Sequence, residues 1–270
     1  MLRDFHTHTC FSDGVNTPEE MVLSAIEKGL EAYGISDHGY APHDSDVCIK
    51  EGDVDKYIAE MQRLKAAYEG RIKLFCGVEQ DVYMGTPDRD YDYVIGSVHY
   101  VKPEDNDFQV VDNTFELVEP FVKDYYCGDY IAYAEAYFRE VSTVYERTGC
   151  DIIGHFDLLT KFNEKHPVID LHNTRYVKAW QNAADKLLKA GIPFEINTGA
   201  ISKGHRTSPY PQLEIAQYIT EKGGRLIMSS DSHKAGTITY EFDKWRSFYT
   251  SRNVNIVDFD PSALERNRGK

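Results

Sequence analysis

Positive charge is scarce in this sequence: 30 lysines and arginines stand against 44 aspartates and glutamates, for a formal net charge of −14. A chain this acidic, with no basic strip, repels a phosphate backbone, which argues against extended nucleic acid as the main partner. Paired cysteine is missing as well. Cys10, Cys48, Cys76, Cys127 and Cys150 are odd in number and contain no C-x-x-C pair. That argues against a disulfide framework or a thiolate zinc site and leaves reduced thiols as the expectation. No apolar run is long enough for a membrane span, and none reads as a signal segment. A metal-ligand candidate stands as early as His6, which leaves no room for a cleaved leader, so the expected location is the cytoplasm. Repeats, low-complexity tracts and linkers are also missing, and residues 1–270 read as one domain.

What the sequence does have is apolar and aromatic surface, with 41% hydrophobic residues, 19 tyrosines and 13 phenylalanines. Short apolar runs predict strands over about 3–8, 32–36, 73–78, 93–98, 152–154, 194–196 and 226–229. Helical patterns lie between them. The first starts at Thr17 as N-cap, with Pro18 at the first helical position and Glu19 and Glu20 in the first turn. It buries Met21, Val22, Ala25, Ile26 and Leu30 at helical spacing. Further helices are predicted over about 54–69, 130–147, 175–190 and 213–222, two of them closed by Gly149 and Gly191. The stretch 102–129 is acidic, aromatic and irregular, and reads as an insertion that lids a site. Strands alternating with helices predict a parallel sheet. A (β/α)7-type distorted TIM-like barrel is favoured over a doubly wound sheet, because chemistry-bearing residues end nearly every strand, where barrels build their sites.

Those strand ends carry the functional signal. The first strand holds His6 and His8, which alternation places on one side, where two imidazoles can grip one ion. Asp13 follows in Ser12-Asp13-Gly14. Later strands end in Ser36-Asp37-His38, Gly77-Val78-Glu79, Ser97-Val98-His99, Gly154-His155-Phe156-Asp157 and Ser229-Ser230-Asp231-Ser232-His233. Any one of these is more often a solvated residue or a helix cap than a ligand. Six strands ending this way is another matter, because so many imidazoles and carboxylates in one mouth repel one another unless cations neutralise them. His166 and His172 have no such placement and read as surface residues.

In order and spacing, these motifs resemble the PHP (polymerase and histidinol phosphatase) superfamily over nearly the whole chain. The segments Gly154–Asn163 and Asn197-Thr198-Gly199-Ala200 are similar to its monofunctional histidinol-phosphatase branch. The resemblance implies about three divalent ions, zinc, manganese or iron. His6, His8, Glu79 and Asp231 would hold the first, Glu79 bridging to a second completed by His99 and His155. Asp13, His38 and His233 would hold the third. It also implies a phosphomonoesterase acting on L-histidinol phosphate in histidine biosynthesis, with Asp231, His233 and Glu79 at the chemistry.

Beyond the ions, Arg206 in a Gly/Pro-braced loop, Lys161 and Asn197 are the candidates for holding phosphate. Tyr40 and His43, or the 102–129 insertion, are the candidates for the other end of a small substrate. Three alternatives remain at this point. A nucleotide phosphoesterase or exonuclease is disfavoured by the acidic surface. A non-catalytic metal-binding regulator is disfavoured by the complete ligand set. A metal-dependent amidohydrolase would commonly want a modified lysine where Glu79 stands.

Overall fold

The computed structural model describes residues 1–103 and 108–264; residues 104–107 of the expected insertion lie outside it. Seven parallel strands form the central sheet: β1 (Arg3–Asp4), β2 (Ala32–Ile35), β3 (Lys73–Asp81), β4 (Tyr93–Ser97), β7 (Ile152–Ile153), β8 (Phe194–Asn197) and β9 (Leu226–Ser229). They lie side by side in chain order. The two edges meet, since Thr7 pairs with Ser232 in parallel and the His8 N–H donates to the Ser232 carbonyl at 2.8 Å. The sheet is thus a nearly closed, distorted TIM-like barrel of the (β/α)7 type.

Helices α1 (Pro18–Glu27), α2 (Val54–Ala67), α3 (Phe115–Tyr126), α4 (Tyr130–Val141), α5 (Val144–Thr148), α6 (Thr174–Leu187), α7 (Gly199–Ser202), α8 (Leu213–Glu221) and α9 (Phe242–Thr250) connect and cover the strands. Among the described residues none is long and apolar enough to cross a membrane. Helix α1 begins as the sequence predicts. The Thr17 side chain accepts from the Glu20 N–H, and the Glu20 carboxylate accepts from the Thr17 N–H.

Several elements differ from expectation. The helix expected over 130–147 breaks into α4 and α5, because the Ser142 and Thr143 hydroxyls donate to the Arg139 and Glu140 carbonyls at 2.7 and 2.8 Å and compete with the helical ladder. The irregular 102–129 stretch contains a hairpin, β5 (Tyr100–Val101) with β6 (Gln109–Val110), and helix α3. Pro120 inside α3 reads as a breaker in sequence, yet burial of Val118, Phe121 and Val122 against the neighbouring α4 outweighs its lost hydrogen bond. Helix α9 follows the last strand without having been predicted. Strand β1 is short because side chains beyond it take the ladder's place: Asp4 accepts from the His6 N–H, and Ser36 Oγ from the Thr7 N–H.

The barrel interior is divided along its axis. Phe5, Phe75, Tyr93, Ile95, Ile152 and Ile227 form a buried cluster against Val257 and Phe259. Tyr93 on β4 reaches across to donate to the Phe5 carbonyl at 2.6 Å. This apolar plug fills the end where the strands begin. The polar residues occupy the end where they finish.

Candidate metal centre

Glu79 is the hub. Strand β3 runs past its expected end, so Glu79 pairs with Ile95 inside the sheet and bridges His38 at the end of β2. Its side chain is 1% exposed. One oxygen, Oε2, lies 3.1 Å from His6 Nε2, 3.4 Å from His8 Nε2 and 3.0 Å from His38 Nδ1. The other, Oε1, lies 2.8 Å from His155 Nε2 and 3.3 Å from His99 Nε2, and accepts from Ser97 Oγ at 2.6 Å. Asp231 Oδ1 approaches His8 Nε2 at 3.3 Å and His6 Nε2 at 3.9 Å. On the far side of His8, Asp13 lies 3.1 Å from His233 Nε2 and 3.7 Å from His38 Nε2.

Two close backbone approaches make this possible. A Cβ on Gly14 would stand 2.5 Å from the His8 carbonyl, so only glycine lets the Asp13 loop fold back over the first strand. A Cβ on Gly199 would stand 2.8 Å from Asp231 Cβ. Asp231 itself is held at φ 48°, a left-handed conformation that a non-glycine residue adopts at a cost.

The residues fit metal ions. Three donor groups have mutually close atoms: His8, Asp13, His38 and His233; His6, His8 and Asp231; and His38, Glu79 and His99. Two ligands each about 2.1 Å from one ion stand roughly 3.0–3.4 Å apart in tetrahedral or octahedral geometry, as many of these pairs do. At the cluster, His6 Nε2, both ring nitrogens of His8 and Glu79 Oε2 are buried without a hydrogen-bond partner. Buried polar atoms are almost always satisfied, and a Lewis acid held among them satisfies imidazole nitrogens and carboxylate oxygens together.

The electrostatics agree. Burial alone raises the pKa of Glu79, but the His6, His38 and His99 imidazoles outweigh it and hold the carboxylate well below its usual range. Burial, with the like charges of His233 and His38, drives His8 far down. Burial is outweighed at His6 by Glu195 and Glu79, and at His99 by Glu79, and both are pushed well above an ordinary imidazole. The carboxylates keep their charge while neighbouring imidazoles are driven apart. Cations relieve that conflict, since they need neutral imidazole and ionised carboxylate together.

The cluster forms the floor of a cavity of about 430 Å³. The predicted ligands His6, His8, Asp13, His38, Glu79, His99, His155, Asp231 and His233 are all brought together there. The predicted substrate residues divide. His43 and Lys161 line the cavity. The Lys161 Nζ donates to the Asp112 carbonyl at 2.6 Å. His43 stacks on Phe108 with ring centroids 3.8 Å apart. Tyr40 does not line it; it stands 37% exposed outside. Asn197 is buried beneath the floor and donates to Asp231 Oδ2 at 3.3 Å.

Arg206 does not reach the cavity. It is 6% exposed, donates to Thr160 Oγ1 at 2.5 Å, and stacks on the Tyr210 ring at 4.4 Å. The expected phosphate contact is therefore not made: buried Asp157 holds the Arg206 charge inward and the arginine backs the wall from behind.

Three residues were missed. Lys203 lines the cavity with Nζ 3.5 Å from His233 Nε2; its basic character and its place six residues past β8 were the only available signals. Asp37 is buried and accepts from the Thr9 N–H and hydroxyl, both at 2.6 Å, and from Ser12 Oγ at 2.5 Å, so it pins the loop that carries Asp13. Glu195 lies behind His6.

The PHP domain model matches residues 4–199. That stretch holds every ligand candidate except Asp231 and His233. A histidinol-phosphatase of Lactococcus lactis subsp. lactis is 30% identical over 98% of this chain and 97% of its own length. The histidinol-phosphatase of Bacillus subtilis is 24% identical over 89% of this chain and 97% of its own. Among solved structures, a histidinol phosphate phosphatase from Lactococcus lactis, in complex with zinc, L-histidinol and phosphate, superposes with a TM-score of 0.72. It is 20% identical, and the match covers 98% of both chains; it is a likeness of fold.

Proposed function

The chain belongs to the PHP domain family, and from that premise we propose that it is a metal-dependent phosphomonoesterase that hydrolyses L-histidinol phosphate to L-histidinol and phosphate. The observation that carries this reading is the set of three donor groups knit together by His8, His38 and Glu79 on the floor of a cavity sized for a small molecule. Divalent ions bound there would acidify water and neutralise the charge of the phosphoryl oxygens.

The protein's own side chains do the rest. Glu79 presents one oxygen to each side of the cluster and keeps its charge. Asp231, on its strained turn, orients the attacking water from the β9 side. Lys203 and Lys161 bring positive charge to the phosphoryl end. His233 has Nε2 beside Asp13 and Nδ1 3.0 Å from the Asp231 carbonyl, so both nitrogens are engaged, and Lys203 is the better placed proton source for the departing alkoxide.

The other end of the cavity has a different character: Asp44, the stacked His43 and Phe108, and Tyr100, whose hydroxyl donates to Asp44 at 2.6 Å. An ammonium and an imidazole ring suit acidic and aromatic walls, and the 102–129 segment contributes part of that wall as a cover over one barrel domain. The small volume of the cavity and the net negative charge of the chain favour a small anion over a polynucleotide, and a cytoplasmic biosynthetic role goes with that reading.

The test is kcat/KM for L-histidinol phosphate against p-nitrophenyl phosphate, a nucleoside monophosphate and a short single-stranded DNA. L-Histidinol phosphate is expected to exceed the others by at least about a hundredfold, since two matched polar ends contribute several charge-assisted hydrogen bonds. Lys203→Ala is expected to lower that value roughly ten- to a hundredfold with metal content unchanged. Preference for the nucleotide or the DNA would replace this substrate.

A further inference from the structure

Glu195 lies on β8, one residue from the apolar Phe194 and Ile196, and is 1% exposed. Among the described residues its only ion-pair partner is His6; no lysine or arginine stands beside it. A carboxylate buried without a cationic partner is expensive. Its contacts show where the compensation lies. Oε1 is 2.7 Å from His6 Nδ1. Oε2 accepts from the His155 backbone N–H at 3.0 Å and from Asn197 Nδ2 at 3.2 Å. Asn197 in turn donates to Asp231 Oδ2 at 3.3 Å, and its own oxygen accepts from the Gly199 N–H at 2.9 Å.

One carboxylate therefore touches ligand-bearing segments from β1 and β7 directly, and one from β9 through Asn197. The bond to Nδ1 holds a His6 proton on that nitrogen, so Nε2, which faces Glu79 and Asp231, is the nitrogen left for an ion. The geometry points to Glu195 as the positioning residue for the donors on its own side of the cluster: it sets His6, His155 and Asp231 before any ion arrives, and its charge is balanced, through His6, by the ions they take. Asp13, His38 and His233 lie beyond its reach. They are steadied instead by Asp37, which braces the Asp13 loop. The inference rests on the cluster being a metal site and not on the choice of substrate.

The discriminating change is Glu195→Gln, which is nearly isosteric. Glu195 accepts from three donors. A glutamine carries one accepting oxygen and one NH2, so either the NH2 meets the His155 N–H and Asn197 Nδ2, donor against donor, or it meets His6 Nδ1 and drives that ring's proton onto Nε2, the nitrogen meant for an ion; in both cases the charge is gone. The metal-stripped wild type and variant are titrated with Zn2+ in competition with a chromophoric chelator, and the visible spectrum of each Co2+ form is recorded. Expected for the variant is a ten- to hundredfold loss of affinity for the ions bound by His6, Asp231 and His155, altered cobalt bands, and unchanged affinity at the site of Asp13, His38 and His233.

Glu195→Asp keeps the charge but draws it back by one methylene. It should fall between the two and carries the test if the glutamine variant does not fold. Equal affinities in wild type and variant would overturn the inference. A parallel loss at every site, tracking a lower melting temperature of the metal-free protein, would overturn it too, because that is what a merely structural residue gives. A wild type that takes up no Zn2+ would instead sink the metal reading itself.

Discussion

Glu79→Ala is expected to lower turnover at least about a thousandfold and to remove two ions at once. The two oxygens of Glu79 face different partners, Oε2 toward His6, His8 and His38 and Oε1 toward His99 and His155. Deleting the side chain strips a donor from both sides and leaves the Ser97 hydroxyl, buried behind it, without its acceptor. Asp13 and His233 pair with each other and not with Glu79, so the group they form with His8 and His38 should hold its ion. Elemental analysis of the folded variant should therefore fall from near three ions per chain to near one, with a loss of the charge stabilisation that such centres supply. A variant that loses one ion and keeps most of its turnover would mean that Glu79 does not join two sites.

Asp231→Asn is expected to reduce turnover by roughly two to three orders of magnitude while the protein stays folded. The change is isosteric, so the left-handed turn and the fit against Gly199 survive. What is lost is charge. Burial raises the pKa of Asp231, yet Lys203, His6 and His8 hold it ionised, far below the usual carboxylate range. An asparagine there is a weak donor to an ion, offers no negative charge to a water, and can turn its NH2 toward Asn197 Nδ2, a donor facing a donor. If Asp231 acts on the reacting water as proposed, kcat should fall much more than KM rises. Single-turnover kinetics separate the two, and a rise in KM alone would place Asp231 in binding.

The barrel and the gathering of the candidate ligands at one end of it were legible in the sequence because both follow local rules. Strand period and helix caps are short-range signals, and small residues such as Ser36, Gly77, Ser97 and Gly154 mark strand ends that crowd together. The residues behind the ligands were harder to see. Glu195 and Asn197 alternate with Phe194 and Ile196, so the pattern placed both polar residues on the barrel's inner face. A charged residue in the middle of a short strand was the available signal, but which histidine it supports depends on a contact 189 residues away. Asp37 was not legible as a brace, since nothing in Ser36-Asp37-His38 tells which side chain meets an ion and which meets the Thr9 hydroxyl. Arg206 shows the converse. A braced loop pointed to Arg206 as a phosphate contact, but its direction was decided by Tyr210 in the same loop and by Asp157, which packs from another segment. The expected helix over 130–147 failed at Ser142-Thr143, where side-chain hydroxyls competing for helix carbonyls were a signal present in the sequence and given too little weight.

Phosphate release from L-histidinol phosphate by the metal-stripped protein, before and after divalent ions are restored, tests the central claim most directly. A mixed cluster of imidazole nitrogens and carboxylate oxygens with buried, unpartnered donor atoms predicts no release from the stripped protein. It also predicts recovery that rises with added Zn2+ or Mn2+ and levels off near three ions per chain. Full release from a protein shown by elemental analysis to hold no metal would contradict it.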